Sequence, residues 1–518
     1  MDAPAFTTRR VVYFAFLAAI WAPIVAVLCS PQLRTFAARV SHDPSSFETE
    51  RNRLRMATPL WNRAVAFYND SLYALGVSGR PGAALVGRGG WVFLGDLFDN
   101  NIAQALGRRV LDDREVAEWT GTFEAETHWL ARRNIASAIV IAPAKWSIYP
   151  DRLPWWTQGT ARVHSLDRVL AAGKSLPLID VRDALREARN HADTYSALNS
   201  HWTDYGAWVA WTRIAAELPR YVPLPAPNLR ALKSVYVSDE QNEFAGMLNL
   251  DATNEWTKYE LATPLFDALV VNADGSTAPL PGGARTDLLD LPRTTRNEHA
   301  PNRLRVLVLR DSSANSLSPF LQDSYFMTHQ VDHRLGQPGT WPNLAGLVEE
   351  FRPDIVLWVV TERYLNGPAG NADYWRAATA FDCADEKPLD AWSGDAARMQ
   401  RSDDGSEDRL ALRDGIDRSA VIRIGVEGDA DGELSVKNGD AATIEPARIN
   451  FSKGRNELFF KVARVQRDEP LVISRSAAHA RVSSVEIRTG GCLAPSAGAD
   501  AVVATRTPAV AAAPARDR

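Results

Sequence analysis

The stretch VLVLRDSSANSL, residues 306–317, contains side chains whose types and spacing suggest covalent chemistry. An apolar run ends at Arg310 and Asp311, and Ser312 follows at once. A serine hydroxyl in such a place can act as a nucleophile when a neighbouring base takes its proton. Serine and aspartate are also ordinary residues of turns and helix N-caps, so this stretch by itself leaves both interpretations open.

A base for that serine is offered by His201 in LNSHWTDYGAW, residues 198–208. The histidine precedes a helical pattern, and imidazole is the usual general base near neutral pH. A structural cap at a loop-to-helix junction is the alternative. His329 and His333 lack comparable surroundings, and we expect them on the strand and turn that follow the serine. No metal-ligand spacing is seen in the sequence, so we expect no metal and no other cofactor.

Short apolar segments that alternate with helical patterns must position these groups. The segments are GWVFLG (90–95), ASAIVIAP (136–143), LPLIDV (176–181), RLRVLVL (303–309) and DIVLWVV (354–360). Nearly continuous apolar strands between amphipathic helices are typical of a parallel sheet covered on both faces. In such α/β sheets, ligands bind beyond the carboxyl ends of the strands. We therefore predict that Ser312, just after the strand that ends at Leu309, meets His201 at that edge.

The chain of 518 residues is too long for one ordinary core, and its texture changes near residue 390. We predict an α/β domain over 81–390 and a small antiparallel β-sandwich over 391–493, where short strands alternate with Gly, Asp and Asn turns. Helical patches over 31–80 suggest a membrane-proximal stalk. Alanine, proline and charged residues dominate 494–518, which we expect to be disordered.

An uncharged apolar stretch runs from Val11 to Cys29 and is long enough, as a helix, to cross roughly 30 Å of hydrocarbon. We therefore predict a transmembrane anchor within residues 1–30. A cleaved signal peptide is the alternative, because Arg9 and Arg10 precede the stretch like a charged leader.

The two cysteines outside this stretch, Cys383 and Cys492, lie on either side of a strand-rich region. We predict that they form a disulfide, with two unrelated buried thiols as the alternative. A disulfide would fit an oxidising compartment such as the bacterial periplasm. The expected location is therefore a bacterial inner membrane, with a single span and the catalytic domain on the periplasmic side.

Five stretches, in this order, resemble the alginate O-acetyltransferase family of the AlgJ and AlgX type. They are VGRGGWVFLGD (86–96), APAKWSIYPDRLP (142–154), NSHWTDYGA (199–207), LRDSSANSLSPFL (309–321) and RPDIVLWVVTERYL (352–365). The resemblance implies an SGNH-hydrolase-like fold and transfer of acetyl groups to hydroxyls of a secreted polysaccharide. It also implies a multipass membrane acyltransferase as the partner that supplies the acetyl group. Ser312 takes the nucleophile's position in this family and His201 the base's, through an acetyl-serine intermediate.

The chain departs from the family at Asn199, where the family has an aspartate two residues before the histidine. An amide oxygen can accept the imidazole N–H, but it supplies no negative charge and can favour the wrong tautomer. Either Asp204 or Asp311 stands in for the missing carboxylate, or the site is only weakly active. EFAGMLNL, residues 243–250, is a second departure, because the corresponding family stretch usually begins with Gly-Asp.

Three cationic residues near predicted strand ends are candidates for substrate contacts. Lys145 could contact a uronate carboxylate or an acyl oxygen, and a surface lysine in a loop is the alternative. Arg310 could contact substrate or hold the turn through Asp311. Arg363 could contact substrate or form an ion pair with Glu362 at a strand end.

Sixteen tryptophans are a high number, and tryptophan faces stack well on sugar rings. Trp202, beside His201, is expected near a glycan together with Trp155 and Trp156, and core packing is the alternative for each. The C-terminal sandwich could bind carbohydrate and so raise the local concentration of the polymer. A formal net charge of −5 without a basic stripe argues against a nucleic-acid partner.

Two other functions remain compatible with the sequence. A carbohydrate acetylesterase would use the same serine and histidine, with water as the acceptor. A non-catalytic polysaccharide-binding member of an exopolysaccharide secretion complex is the other, and Asn199 is the feature that favours it.

Overall fold

The computed structural model describes most of the chain. The described residues are 17, 21, 25, 29–57, 59–158, 162–222, 225–240, 242–250, 252–335, 342–367, 369, 372–384, 387–395, 397–413, 419–439, 444–451, 453–466, 469–476 and 480–489.

The described part contains short and medium-length α-helices. They are α1 (Pro31–His42), α2 (Phe47–Ala57), α3 (Pro59–Ala74), α4 (Asn101–Ala105), α5 (Asp113–Ala131), α6 (Lys145–Ile148), α7 (Ser165–Ala172), α8 (Arg182–Ala188), α9 (Asp204–Glu217), α10 (Ala245–Leu248), α11 (Ser318–Ser324), α12 (Leu344–Phe351) and α13 (Ala372–Asp382).

The strands fall into an N-terminal and a C-terminal group. The first group is β1 (Ala84–Val86), β2 (Val92–Leu94), β3 (Ala136–Ala142), β4 (Leu178–Asp180), β5 (Leu232–Glu240), β6 (Asn254–Leu261), β7 (Ala268–Val271), β8 (Thr277–Leu280), β9 (Arg293–Arg296), β10 (Asn302–Arg310), β11 (Tyr325–Asp332) and β12 (Ile355–Thr361). The second group is β13 (Asp390–Trp392), β14 (Met399–Arg401), β15 (Glu407–Leu410), β16 (Ala420–Gly428), β17 (Gly432–Asn438), β18 (Ile444–Glu445), β19 (Arg448–Phe451), β20 (Gly454–Val462), β21 (Leu471–Arg475) and β22 (Ala480–Arg488).

An eight-stranded sheet in the order β4-β3-β12-β10-β11-β9-β7-β8 forms the centre of the N-terminal domain. The first five strands of that order are parallel, as the apolar segments predict. The last three run antiparallel, so the prediction of a wholly parallel sheet is wrong. The physical reason is a tight hairpin between β7 and β8, in which Gly275 has φ of 81° and lets the chain return without a crossover helix.

The parallel strands are apolar because helices cover both faces. All seven residues of β12 are buried, and so are the last five of β10. One core cluster packs around α8, α9 and α11 on one face, and the other packs around α5, α12 and α13 on the opposite face. The segment GWVFLG does not join this sheet, since β2 pairs with β1 in a separate two-stranded ribbon.

Two antiparallel five-stranded sheets follow the α/β domain, in the orders β13-β22-β16-β20-β18 and β14-β15-β21-β17-β19. Buried residues that alternate along the strands of both sheets share one apolar core. The change in sequence pattern near residue 390 thus coincides with the first strand of two packed antiparallel sheets.

Several predictions fall partly or wholly outside the described residues. Within the described part, every helix is too short or too polar to cross a membrane. The predicted anchor, Val11 to Cys29, lies mostly outside that part, and the predicted disordered tail lies wholly outside it. Cys492 is also outside the described ranges, so its predicted disulfide with Cys383 stays a prediction.

Candidate active site

A short 3₁₀ turn, Ser312–Ala314, follows directly after β10 at the carboxyl edge of the parallel strands. Across this edge, the Ser312 hydroxyl lies 2.8 Å from His201 Nε2. The two residues are 111 positions apart in sequence, and the fold brings them within hydrogen-bonding distance. A serine and an imidazole in direct contact are the minimum arrangement for nucleophilic catalysis.

Asp311 holds the turn that carries the serine. Its carboxylate accepts hydrogen bonds from the backbone N–H of Ser313 at 2.7 Å and of Thr361 at 2.7 Å. His333 Nε2 lies 3.2 Å from the second carboxylate oxygen. Burial disfavours the charged form, but the hydrogen bond and charge of His333 and the charge of Arg363 hold the pKa of Asp311 well below its usual range. Asp311 is therefore committed to the turn and does not stand in for the missing aspartate.

Arg310 is fully buried beneath the same turn, so its predicted contact with substrate is wrong. Its guanidinium donates to the carbonyl oxygens of Asp311 at 3.1 Å and Thr286 at 2.6 Å, and to Asn315 Oδ1 at 2.6 Å. Burial lowers the pKa of Arg310 to about 10. The side chain cross-links the end of β10 to the residues on both sides of the nucleophile.

His201 lies in a loop that ends where α9 begins. Thr203 caps that helix, because its hydroxyl accepts the N–H of Gly206 at 3.1 Å. A Cβ atom on Gly206 would lie 2.2 Å from the Thr194 carbonyl oxygen, so only glycine permits this close packing of the helix against the loop. The loop is thereby fixed next to the sheet edge.

Asn199 sets the tautomer of the imidazole. Its Oδ1 lies 2.9 Å from the backbone N of His201 and 2.9 Å from His201 Nδ1. A backbone N–H can only donate, so the asparagine atom facing it must be the oxygen. That oxygen also requires a proton on Nδ1, which leaves the lone pair of Nε2 directed at Ser312. The asparagine thus favours the productive tautomer, and only the negative charge is missing from it.

A carboxylate that the sequence did not single out lies beside the same nitrogen. Glu243 Oε2 is 3.6 Å from His201 Nδ1. The same carboxylate accepts the backbone N–H of Ser200 at 2.6 Å and the Ser200 hydroxyl at 2.9 Å. Burial would raise the pKa of Glu243, but His201 and the two Ser200 donors lower it to about 2. Glu243 is the first residue of EFAGMLNL, where the sequence showed only a departure from the family.

Asp204 is the other aspartate proposed to stand in, and its carboxylate is bound by other groups. It forms a salt bridge with Arg285 and accepts the Ser316 hydroxyl at 3.0 Å. Both predicted substitutes for the family aspartate are therefore engaged elsewhere, whereas Glu243 is next to the histidine.

Lys145 is buried, so it is neither the predicted substrate contact nor the surface lysine of the alternative. Its ammonium donates to the carbonyl oxygens of Val92 at 2.7 Å, Ala197 at 2.8 Å and Asn199 at 3.1 Å. Burial lowers the pKa of Lys145 well below its ordinary value, although the charge of Glu243 opposes this. All three N–H donors of an ammonium are thus used to hold the histidine loop, which leaves none for a substrate.

Trp202 does not have its predicted role, whereas the predicted substrate contact of Arg363 stays a prediction. Trp202 is 1% exposed and packs in the apolar core, so it has no face free for a sugar ring. Arg363 is largely buried, with Nε 3.3 Å from Asp99 Oδ2 and Nη2 3.0 Å from the Tyr364 hydroxyl. It lines a cleft that also contains Asp311.

Glu362 does not pair with Arg363, so that predicted ion pair is wrong. Its carboxylate turns inward and accepts the backbone N–H of Ala144 at 2.8 Å and the Ser147 hydroxyl at 2.6 Å. Complete burial raises the pKa of Glu362 to about 7. Trp155 and Trp156, in contrast, are exposed, as a sugar-binding surface requires.

A serine-bearing turn at the end of a central parallel strand, with a histidine loop over the same edge, is the arrangement expected of an SGNH-hydrolase-like domain. Residues 84–278 match the family described as SGNH hydrolase-like domain, acetyltransferase AlgX. The predicted resemblance to the AlgJ and AlgX type is therefore confirmed. The matched segment contains His201 and Glu243, while Ser312 lies beyond it.

Two curated relatives agree with this match. Two proteins named probable alginate O-acetylase AlgJ are 26% identical to this chain. The one from Pseudomonas aeruginosa matches 41% of this chain, and the one from Azotobacter vinelandii matches 39%. The matches cover 52% and 47% of those proteins, so the chain spans about half the length of these curated relatives. AlgX of Pseudomonas aeruginosa is 13% identical, with a TM-score of 0.47, over 80% of this chain and 96% of that structure.

Proposed function

We propose that this protein is a polysaccharide O-acetyltransferase that works through an acetyl-serine intermediate. The observation that carries the proposal is the 2.8 Å contact between the Ser312 hydroxyl and His201 Nε2. The curated relatives are named probable alginate O-acetylases, and these names support the reaction class. The acceptor is a hydroxyl of an extracellular polysaccharide.

In the first half of the reaction, His201 Nε2 takes the proton of Ser312 while the serine oxygen attacks the acetyl carbonyl carbon. A tetrahedral intermediate forms, with negative charge on the former carbonyl oxygen. The N–H of Ser313 already donates to Asp311, so the N–H of Ser312 is the donor of this turn that can stabilise the oxyanion. The intermediate collapses, the donor oxygen leaves with the proton from His201, and Ser312 carries the acetyl group.

The second half reverses the roles. A sugar hydroxyl gives its proton to His201 Nε2 and attacks the acetyl-serine carbonyl carbon. The second tetrahedral intermediate releases Ser312, which takes the proton back from His201, and the acetylated sugar leaves. Atoms and charges balance over the cycle, because the donor loses the acetyl group that the sugar gains.

We extend the proposal to the setting of the reaction. The acetyl donor is delivered by a multipass membrane acyltransferase, and the catalytic domain acts on the periplasmic side of a bacterial inner membrane. The uncharged stretch from Val11 to Cys29 supports an anchored position close to such a partner.

A carbohydrate acetylesterase is the second candidate function. The His201 side chain is 26% exposed, so water can reach the base and compete with a sugar hydroxyl for the acetyl-serine. The two candidates share the first half-reaction and differ only in the acceptor.

The proposal predicts that Ser312→Ala abolishes both acetyl-enzyme formation and turnover. The purified protein is mixed with a chromogenic acetyl ester, with and without oligosaccharide, and intact-mass spectrometry detects the added acetyl group. We expect a loss of at least ~10³-fold in turnover, as for other serine nucleophiles. Ser276→Ala, in the exposed β7–β8 turn, is the matched control and keeps full activity.

The same experiment separates the two candidate functions. Acetylated oligosaccharide in excess of free acetate supports the transferase, and free acetate alone supports the esterase. Turnover that persists in a folded Ser312→Ala variant would contradict both.

A further inference from the structure

We infer that Glu243 supplies the negative charge that Asn199 lacks, so that the carboxylate of this catalytic centre comes from a separate segment of the chain. The inference rests on the proposed function and deepens it. Glu243 acts through His201 and is therefore a positioning residue, because it touches neither Ser312 nor the reacting atoms.

Glu243 is held rigidly against the histidine loop. Its backbone N–H donates to the Leu198 carbonyl oxygen at 3.1 Å, and its carboxylate is fixed by the N–H and hydroxyl of Ser200. The next residue, Phe244, is fully buried, and its N–H is bound by the Asn242 side chain at 2.9 Å. These contacts fix the carboxylate next to the imidazole before any substrate binds.

The distances of Asn199 and Glu243 from His201 Nδ1 indicate different roles for the two residues. Asn199 Oδ1 is within hydrogen-bonding distance of His201 Nδ1, at 2.9 Å, and orients the ring. Glu243 Oε2, at 3.6 Å, is too far for a good hydrogen bond but close enough for strong charge interaction. An asparagine and a glutamate together thus provide the orientation and charge that a single aspartate provides in the family.

The other charges facing this pair make the carboxylate more necessary. The Lys145 ammonium lies on the far side of the loop, where its charge interacts with Glu243 and Asp193. Without Glu243, this buried cation would oppose the positive charge that forms on His201 during the reaction. Glu243 therefore stabilises the imidazolium directly and also offsets Lys145.

The test removes the negative charge at Glu243 and then introduces one at Asn199, with activity measured on the chromogenic acetyl ester. Glu243→Gln keeps the shape of the side chain and removes its charge, and we expect kcat to fall by about 10- to 10³-fold, since an opposite charge at this range is worth 1–3 pKa units. The acid limb of the rate–pH profile should move to lower pH, because the imidazolium loses its counter-charge. Glu240→Gln, which affects only a surface pair with Lys258, is the matched control and should change neither quantity.

The deciding variant is the double substitution Asn199→Asp with Glu243→Gln, which returns one negative charge to the same ring nitrogen, His201 Nδ1. We expect it to recover most of the lost activity and to restore the acid limb. A purely structural role for Glu243 predicts no recovery, because Asn199→Asp cannot replace the contacts with Ser200. If Glu243→Gln fails to fold, Glu243→Asp keeps the charge on a shorter side chain and should keep the acid limb of the parent, and a shifted acid limb in the folded Glu243→Asp variant would overturn the inference.

The outcomes separate this inference from the proposed function. If Ser312→Ala is inactive while Glu243→Gln matches the parent in kcat and pH profile, the inference alone is overturned. A loss in Glu243→Gln without recovery in the double variant also overturns it. If Ser312→Ala stays active, the proposed function itself fails.

Discussion

The turn that carries Ser312 and the loop that carries His201 are built in different ways. The turn is held mainly by its own neighbours in sequence, Arg310 and Asp311, with Thr361 as a backbone donor from the adjacent strand. The loop depends on remote groups, since Lys145 binds its carbonyl oxygens and Glu243 binds the N–H and hydroxyl of Ser200.

The difference shows where an active site of this kind can change. The position of Ser312 is set by contacts close to it in sequence, at the end of β10 and in the turn. An imidazole needs an acceptor and a nearby negative charge, and these can come from different segments provided that the fold brings them together. Replacement of the family aspartate by Asn199 is therefore compatible with an intact site, as long as the remote groups stay in place.

The largest expected effect comes from breaking the serine's turn with Asp311→Asn. Removing this buried charge leaves the N–H donors of Ser313 and Thr361 poorly paired and removes the carboxylate that faces His333. We expect a loss of about 3–5 kcal/mol in the free energy of unfolding, together with loss of ester turnover. Urea unfolding followed by tryptophan fluorescence measures the first quantity, and the chromogenic ester the second.

Asp183→Asn is the matched control for that variant, because the Asp183 side chain is 99% exposed and pairs only with a neighbour on its own helix. It should behave like the parent protein. An Asp311→Asn protein as stable as the parent would show that the turn is held by other contacts than those described here.

Sequence patterns predicted the serine's side of the site better than the histidine's. The apolar run before Ser312 identified the strand and its end, because strand period and turn residues are local signals. These local signals did not identify Glu243, because its position beside His201 depends on how a distant segment of the chain packs. The burial of the Lys145 and Trp202 side chains was not predicted for the same reason. The residue type near a strand end does not reveal which way its side chain faces.

The antiparallel half of the sheet illustrates the same limit at the level of the fold. The Asp-Gly pair at 274–275 is a typical hairpin signal, but β7 and β8 are short and partly exposed, so their apolar pattern is weak. Four of the five parallel strands, β3, β4, β10 and β12, had the strongest apolar pattern and were identified correctly, whereas the segment of β2 was wrongly assigned to the same sheet.

A smaller effect is expected from loosening the histidine's loop with Lys145→Met. The substitution preserves much of the side-chain volume but leaves the carbonyl oxygens of Val92, Ala197 and Asn199 without their donor. We expect about 2–3 kcal/mol of destabilisation and roughly tenfold lower kcat, with a smaller change in KM because the lysine contacts no substrate. Lys174→Met, on the surface, is the control. A change confined to KM would instead support the substrate contact first expected of Lys145.

The smallest effect concerns Glu362, which connects the two regions: it follows Thr361 in sequence and binds Ala144 and Ser147 beside Lys145. Its pKa is raised from 4.5 to about 7 by burial, so between these values the folded protein holds a proton that the unfolded chain has lost. Stability must therefore fall as pH rises through that window.

Glu362→Gln keeps an acceptor for both donors and removes the titration. We expect the parent to lose about 1–2 kcal/mol between pH 5.5 and 7, and the variant to lose less. Urea unfolding at the two pH values measures this, with the exposed Glu298→Gln as control. If the free energy of unfolding changes equally with pH in the parent and in Glu362→Gln, this carboxyl is already ionised at pH 5.5. Its hydrogen bonds to Ala144 and Ser147 are then made by a carboxylate.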